Sequence, residues 1–168
     1  MEKVINLGIP HVGEHIFETL NTHQLVNCLE VSETWKVFAE NVLIKRWKGK
    51  MFEACKSGET KIVKLLLELC NSEESGLNIK DKIYGRTPFM IACINGHKDV
   101  VKLFLDHSEP TIELNARDNI GWTAFMNACQ RGHKDIVQLL QNNSDRIVLN
   151  KTALIIACQE GHKDVVQL

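Results

Sequence analysis

The chain has 168 residues, which is enough for one ordinary domain or for two small ones. Its 20 Lys and Arg residues nearly balance its 21 Asp and Glu residues, so the net charge gives no general attraction to nucleic acid or to an acidic membrane. No apolar run approaches the roughly 18 residues that a membrane-spanning helix needs. Its six cysteines are too few for a disulfide scaffold, which favours a cytoplasmic or nuclear protein.

Residues 1–50 contain three short patterns of helical spacing. Ile16, Phe17 and Leu20 form the apolar face of the first pattern. Asn21 can cap the second helix, with Gln24 three places later as its capping-box partner. Three such helices bury too little surface to be stable alone, so the segment is predicted to pack on the repeats or on a partner. The apolar residues of the second and third helices are Leu25, Cys28, Leu29, Trp35, Phe38 and Val42.

Four motifs follow one another in this segment: Ile9-Pro10, Ile16-Phe17-Glu-Thr-Leu20, Val31-Ser-Glu-Thr-Trp35 and Arg46-Trp47. Their order resembles the F-box, although the interval from Pro10 to Ile16 is one residue shorter than is usual in that family. The resemblance implies that the segment docks onto a Skp-family adaptor, and through it onto a cullin. The residues that it implies for the adaptor contact are Ile9, Pro10, Ile16, Phe17, Leu20, Leu25, Val31 and Trp35.

Two features of the segment also have plainer interpretations. Its apolar residues could form the core of a helical cap, because a repeat array needs an end that covers its first repeat. The basic run KRWKGK at residues 45–50 could bind nucleic acid or direct nuclear import, but it is short and isolated in a neutral chain. A solvated helix end, where cations are favourable, is the better interpretation of that run.

The rest of the sequence repeats itself. The string ACINGHKDVV at residues 92–101 returns as ACQRGHKDIV at 128–137 and as ACQEGHKDVV at 157–166. A weaker copy, MFEACKSGETKIVKLLLELC, stands at 51–70. Spacings of this size predict an array of small units, none of which can bury its apolar face alone. We therefore predict a stacked solenoid.

Within a unit, the residues predict a helix, a tight turn and a second helix. Thr87 is a good N-cap, and Pro88 at the first helical position has no amide to lose. Gly96 tolerates the left-handed backbone of a helix end. Lys98 then opens a helix with apolar residues at helical spacing. Between units, LNARDNIGW at residues 114–122 combines Asp, Asn and Gly, which predicts a turn.

Two units open with GRTPFM at residues 85–90 and GWTAFM at 121–126. Together with the Gly-His turns, these motifs resemble the ankyrin repeat from residue 51 to the end. The resemblance implies an all-α fold, in which the three-helix F-box-like segment precedes a solenoid of helix-turn-helix units with hairpin fingers. In this chain Met90, Met126 and Ile155 replace the motif's histidine. We expect them to be buried, with apolar packing in place of its hydrogen bonds.

We predict an F-box-like domain over residues 1–48 and ankyrin repeats over 49–168, with units at about 49–84, 85–120, 121–150 and 151–168. In the last unit, LNKTAL replaces the longer LNARDNIGWTAF of its predecessor. The shorter connection argues against a hairpin finger between the third and fourth units. The sequence stops at Leu168 inside the last second helix, so we expect it to be a fragment of a longer array.

Every unit carries a cysteine, and three carry a histidine four residues later. Structural zinc needs four ligands within about 2 Å of the metal, whereas packed helices of neighbouring repeats lie roughly 10 Å apart. Several equivalent Cys/His pairs without a third orienting group resemble architecture more than an active site. We predict no metal, no cofactor and no catalytic residue, with the cysteines in the interior and the histidines in the turns. These residues are Cys55, Cys93, Cys129, Cys158, His97, His133 and His162.

The two resemblances together imply a substrate-recognition subunit of a Skp/cullin/F-box ubiquitin ligase, which is not itself an enzyme. Its repeats would hold a protein substrate through hairpin tips and the concave face of the first helices. Tyr84 and Trp122 are candidates either for anchors or for packing between fingers. The alternative is an ankyrin-repeat binding or scaffold protein whose N-terminal helices only cap the solenoid. The predicted substrate-binding residues are Lys82, Tyr84, Arg86, Ile91, Asn119, Ile120, Trp122, Asn127 and Ile156.

Overall fold

The computed structural model describes residues 19–28, 51–69, 77–107 and 112–168, together with 31, 33, 35–37, 39 and 42. The chain divides into two compact units, Met1–Lys50 and Met51–Leu168. The narrower domain and repeat limits given above stay predictions. None of the described helices is long and apolar enough to cross a membrane.

In the N-terminal unit, α1 spans Thr22–Cys28. The Asn21 amide donates to Gln24 Oε1 at 2.9 Å, and the Gln24 amide donates to Asn21 Oδ1 at 2.9 Å. This reciprocal pair confirms the predicted capping box, which satisfies two amides that the helix itself leaves without acceptors. Leu25 and Cys28 are buried, as the apolar pattern predicts, and so is Val42. The predicted helix-face residues Ile16, Phe17, Leu29 and Phe38 lie outside the described residues.

In the second unit, the residues that the structure describes form four helix pairs. The pairs are α2 (Met51–Ser57) with α3 (Thr60–Leu69), α4 (Pro88–Asn95) with α5 (Lys98–Asp106), α6 (Ala124–Arg131) with α7 (Lys134–Gln141), and α8 (Lys151–Gln159) with α9 (Lys163–Val166). In α4 the Thr87 hydroxyl accepts from the Met90 amide, Pro88 is the first residue, and Gly96 ends the helix in the left-handed conformation, all as predicted. The second helix of the same pair begins at Lys98, again as predicted. The first helices stack in chain order, α2 on α4, α4 on α6 and α6 on α8.

The turn histidines link neighbouring repeats, which is more than the turn role predicted for them. His97 Nε2 lies 2.8 Å from the Lys56 carbonyl, and His133 Nε2 lies 2.9 Å from the Ile94 carbonyl. His162 Nε2 makes the third bond of the series, at 2.7 Å from the carbonyl of Gln130. Because a carbonyl only accepts, each ring donates from Nε2.

Burial of the first helices depends on the following repeat. Met90 is 1% exposed and Met126 is 6% exposed, which confirms the prediction of apolar packing at these two positions. Ile155 is 56% exposed, so the prediction that it is buried is wrong. Cys158 is also exposed, whereas Cys55, Cys93 and Cys129 are buried as predicted. The reason is that α4 and α6 each have a first helix packed on both sides. Among the described elements, α8 has a first helix on one side, which is α6, and its other main contact is with its own partner α9.

The connection between the third and fourth pairs is a run of turns over residues 142–147 without the Asp-centred finger of its neighbours. It is tied back by side chains instead. Asn115 Oδ1 accepts from the Val148 amide at 2.7 Å, and Asn115 Nδ2 donates to the Arg146 carbonyl at 2.7 Å. The Arg146 guanidinium donates to the Leu105 carbonyl. The shorter connection led us to expect no hairpin finger here. These side-chain contacts hold the connection in place of a finger.

Candidate protein-binding surface

The first hairpin finger, residues 79–86, is organised by one carboxylate. Asp81 accepts from the amides of Ile83 at 2.9 Å, Tyr84 at 2.7 Å and Arg86 at 3.0 Å. Burial acts to raise the pKa of Asp81, but these three donors and the Arg86 charge outweigh it and hold the pKa below its ordinary value. The carboxylate is therefore directed into the finger, and the side chains after it stand on the outside.

The second finger, residues 116–122, repeats this arrangement. Asp118 Oδ1 accepts from the Ile120 amide at 3.1 Å and from the Trp122 amide at 2.8 Å. The Asp118 side chain is buried, and its other oxygen lies 3.9 Å from Arg86 Nε of the first finger. Asp is favoured in such turns because its short carboxylate reaches amides two residues along.

The two fingers are joined directly to each other. The Asn119 amide donates to the Tyr84 carbonyl at 2.8 Å, and Asn119 Nδ2 donates to the Ile83 carbonyl at 3.2 Å. A Cβ at Gly85 would lie 2.2 Å from Asn119 Oδ1, and Gly85 has a φ of 68°. Lys80 Nζ adds a bond of 2.8 Å to the Arg117 carbonyl. The two fingers thus form one surface, called the finger surface below, which consists of residues 79–86 and 116–122.

The finger surface exposes large apolar side chains. Ile83 is 76% exposed and Ile120 is 69% exposed, and each is the second residue after its finger's aspartate. Tyr84 is 55% exposed, with the Arg86 guanidinium 4.4 Å above its ring centroid. Ile79 is also exposed. Exposed apolar groups on two fingers that are hydrogen-bonded to each other make this a candidate interaction surface.

The predicted substrate-binding residues do not all lie on this surface. Lys82, Tyr84, Asn119 and Ile120 are exposed there. The remaining predicted finger residues, Arg86 and Trp122, are half-buried. Sequence reasoning missed Ile79 and Ile83. The signal for Ile83 was its position two residues after Asp81, which matches the position of Ile120 after Asp118.

Three predicted residues lie on the first helices. Asn127 is 1% exposed, and its Nδ2 donates to the Thr123 carbonyl at 3.0 Å. Ile156 is buried on the packed side of α8, while Ile91 is half-buried. The placement of Asn127 and Ile156 on an accessible face is therefore wrong, because both side chains are enclosed by their neighbours.

The adaptor-contact residues implied by the F-box resemblance are only partly described. Val31 is 56% exposed, and Leu20 and Trp35 are half-buried. Leu25 is fully buried, so its side chain belongs to the interior and its implied adaptor contact is corrected. Ile9, Pro10, Ile16 and Phe17 lie outside the described residues.

The repeated cysteines are unsuited to nucleophilic chemistry where they are buried. Burial raises the pKa of Cys55 to about 12 and that of Cys129 to about 12. For Cys93, burial and then the neighbouring Cys55 raise the thiol pKa. The thiol is thus kept in its unreactive protonated form at neutral pH. Among the residues that the structure describes, no three His, Cys, Asp or Glu side chains are grouped as metal ligands.

Comparison with known proteins agrees with this arrangement. The family model for ankyrin repeats, in three copies, matches residues 51–150 and 110–168, so the chain belongs to the ankyrin-repeat family. Repeats of this family support a protein-binding role and are generally non-catalytic. The match begins at residue 51, and no curated protein matches the sequence.

Solved structures show the same fold. One is a chain of the crystal structure of the yeast ribosomal protein Rps3 in complex with its chaperone Yar1. It is 21% identical, with a TM-score of 0.61, over 71% of this chain and 88% of that chain. At this identity the likeness shows the fold alone. With 218 matching chains of solved structures, the fold does not by itself identify a partner.

Proposed function

We propose that the protein is the substrate receptor of a Skp/cullin/F-box ubiquitin ligase. Its N-terminal unit would bind a Skp-family adaptor, and its finger surface would hold a protein substrate. The chain supplies no chemistry in this proposal. It raises the effective concentration of substrate lysines near the conjugating enzyme, as any linkage of two binding sites does.

The adaptor half of the proposal rests on the F-box-like order of residues 9–47 and on one exposed side chain. Val31 begins the Val-x-x-x-Trp motif and is 56% exposed. Its amide donates to the carbonyl of Cys28 at 3.3 Å, so Val31 is joined to the end of α1, where Leu25 and Cys28 are buried. A large apolar side chain held outward beside a packed interior is what a docking helix pair needs.

The substrate half rests on the finger surface. Its tips are ordered by Asp81 and Asp118 before any partner arrives, so binding would not require a costly ordering of loops. Its exposed apolar groups come from two neighbouring repeats, which enlarges the contact area beyond that of one finger. Both features favour recognition of a protein.

The test of the adaptor contact is a calorimetric titration of the full chain with a purified Skp-family adaptor. The variant Val31→Asp places a charge on the proposed contact. Val37→Asp is its matched control, because Val37 has nearly the same exposure, 55%, in the same unit and is not among the implied contact residues. We expect Val31→Asp to lower the affinity for the adaptor at least tenfold and Val37→Asp to change that affinity less than threefold. The unfolding temperatures of the two variants should be alike.

The opposite results are equally informative. If a folded wild-type chain does not bind the adaptor, the ligase function is excluded and the protein is an ankyrin-repeat binding or scaffold protein. If both variants weaken binding equally, the adaptor contact does not run through Val31, and the F-box alignment of this motif is wrong.

A further inference from the structure

We propose that the finger surface binds an acidic segment of its partner that also carries an apolar side chain. The inference rests on the proposed use of this surface for substrate and specifies the substrate's chemistry. It follows from how the two fingers distribute their charges and their apolar groups.

The cations of the finger surface face outward. Lys80, Lys82 and Arg117 are exposed. Lys80 and Arg117 donate to the carbonyls of Arg117 and Gly121, each at 2.8 Å, and such bonds leave their positive charge uncompensated. No hydrogen bond or ion pair engages Lys82 among the residues that the structure describes.

The anions of the same surface face inward. Asp81 is committed to three amides, and Asp118 is 7% exposed and committed to two amides and to the Arg86 charge. A partner approaching the tips therefore meets ammonium and guanidinium groups before it meets either carboxylate. Complementary charge on the partner would speed association and fix its orientation.

The apolar groups select a protein over a nucleic acid. Ile83 and Ile120, the most exposed apolar side chains of the surface, are branched aliphatic groups without a flat face for stacking. Binding to single-stranded nucleic acid relies on aromatic platforms as well as cations. The exposed aromatic ring here is Tyr84, one face of which is already covered by Arg86. Aliphatic side chains next to cations fit a segment in which Asp or Glu residues flank an apolar residue.

The experiment uses the full chain as bait for a displayed library of random 12-residue peptides. We expect the enriched peptides to be net negative and to contain an apolar residue beside Asp or Glu. The best peptide is then synthesised with a fluorophore, and its affinity is measured by polarisation, together with that of a version in which Asp and Glu become Asn and Gln.

Two single substitutions provide the comparison. Lys82→Glu reverses a charge on the finger surface, and Lys102→Glu reverses a charge that is also exposed but lies on α5, outside the finger surface. We expect Lys82→Glu to lower the affinity for the peptide about fivefold to tenfold in low salt, and Lys102→Glu to change that affinity less than twofold. Ile120→Ser, which changes no charge, should also weaken it about fivefold.

Several outcomes would overturn the inference: no enriched peptide, a neutral or basic consensus, or equal effects of Lys82→Glu and Lys102→Glu. Displacement of the peptide by an equimolar 12-mer of thymidine would reassign the surface to nucleic acid. The same preparation is titrated with the Skp-family adaptor. If the chain binds the adaptor but enriches no peptide, only the present inference is contradicted. If it binds the peptide but not the adaptor, only the proposed ligase function is contradicted.

Discussion

The interior repeats and the last repeat contain nearly the same sequence in different surroundings. In α4, which has α6 of the next repeat packed on it, Phe89 and Met90 are each 1% exposed. In α8, the aligned Leu154 and Ile155 are 41% and 56% exposed. The comparison shows that the apolar residues of a repeat define a face, while the next repeat along the array decides whether that face is buried.

The turn glycines show the same contrast at the level of single atoms. Gly132 and Gly161 have φ values of 69° and 77°, so both turns use the left-handed conformation. A Cβ at Gly132 would lie 2.5 Å from Nδ1 of His162, whereas a Cβ at Gly161 would meet nothing within 4 Å among the described residues. The two positions therefore separate backbone strain from contact between repeats.

The largest difference in the free energy of unfolding should be between a substitution on the buried face of α4 and the aligned substitution on the exposed face of α8. Phe89→Ala should lower the free energy of unfolding by about 3–5 kcal/mol, because it removes a ring packed 5.6 Å from that of Phe104 and leaves a cavity. Leu154→Ala should cost less than about 1 kcal/mol, because much of its side chain is already in water. Urea unfolding of both variants measures the two values, and equal costs would contradict the stacking described for α8.

A smaller difference should separate the two turn glycines. Gly161→Ala should cost about 1–2 kcal/mol from the left-handed backbone alone. Gly132→Ala should cost about 1 kcal/mol more, because the new methyl displaces His162 from the Gln130 carbonyl. The same unfolding measurement applies. In a His162→Ala background the extra cost should disappear, and its persistence would show that it does not come from the ring.

The smallest expected effect is the change with pH in the stability that the first finger contributes. Asp81→Ala should cost about 1–2 kcal/mol at pH 7, because three amides lose their acceptor in a partly solvated turn. Since the folded pKa of Asp81 is lowered, its contribution is complete above the ordinary Asp pKa and is lost as the pH falls through the lower folded value.

Unfolding curves of wild type and Asp81→Ala at pH 7 and pH 2.5 measure this pH dependence. The difference in the free energy of unfolding between the two proteins should be smaller at pH 2.5 than at pH 7. The same pair of measurements on Asp106→Ala, which removes an exposed carboxylate at the end of α5, should change the free energy of unfolding by less than about 1 kcal/mol at either pH. If the loss of stability caused by Asp81→Ala did not change with pH, the folded turn would not favour the ionised carboxylate of Asp81 over the protonated one.

Local chemistry made much of the fold predictable. The hydroxyl of Thr87, the missing amide of Pro88 and the left-handed tolerance of Gly96 each act within a few residues, so the bounds of α4 follow from them. The same holds for the reciprocal bonds of Asn21 and Gln24. The errors in the repeats concern the exposure of a side chain, which depends on residues far away in the sequence. They occur at Ile155, Cys158, Asn127 and Ile156.

The sequence predicted where the candidate binding surface lies, but not all of the residues that it exposes. Asp, Asn and Gly between units indicate a turn, and this correctly located the second finger. Ile83 was missed because its match to Ile120, two residues after an aspartate, does not by itself tell that the side chain points outward. That became visible only when the bonds from Asp81 fixed the turn around it.

By itself, the sequence determined the family, the order of the helices, their caps and the residues available for each apolar face. Those properties depend on short-range sterics and hydrogen bonding. The tertiary structure decided which faces are covered, which histidine bonds which carbonyl, and how two fingers join into one surface. Such contacts connect residues more than thirty positions apart, such as Asn119 with Ile83 and His97 with Lys56, and only stacking of the repeats brings them together.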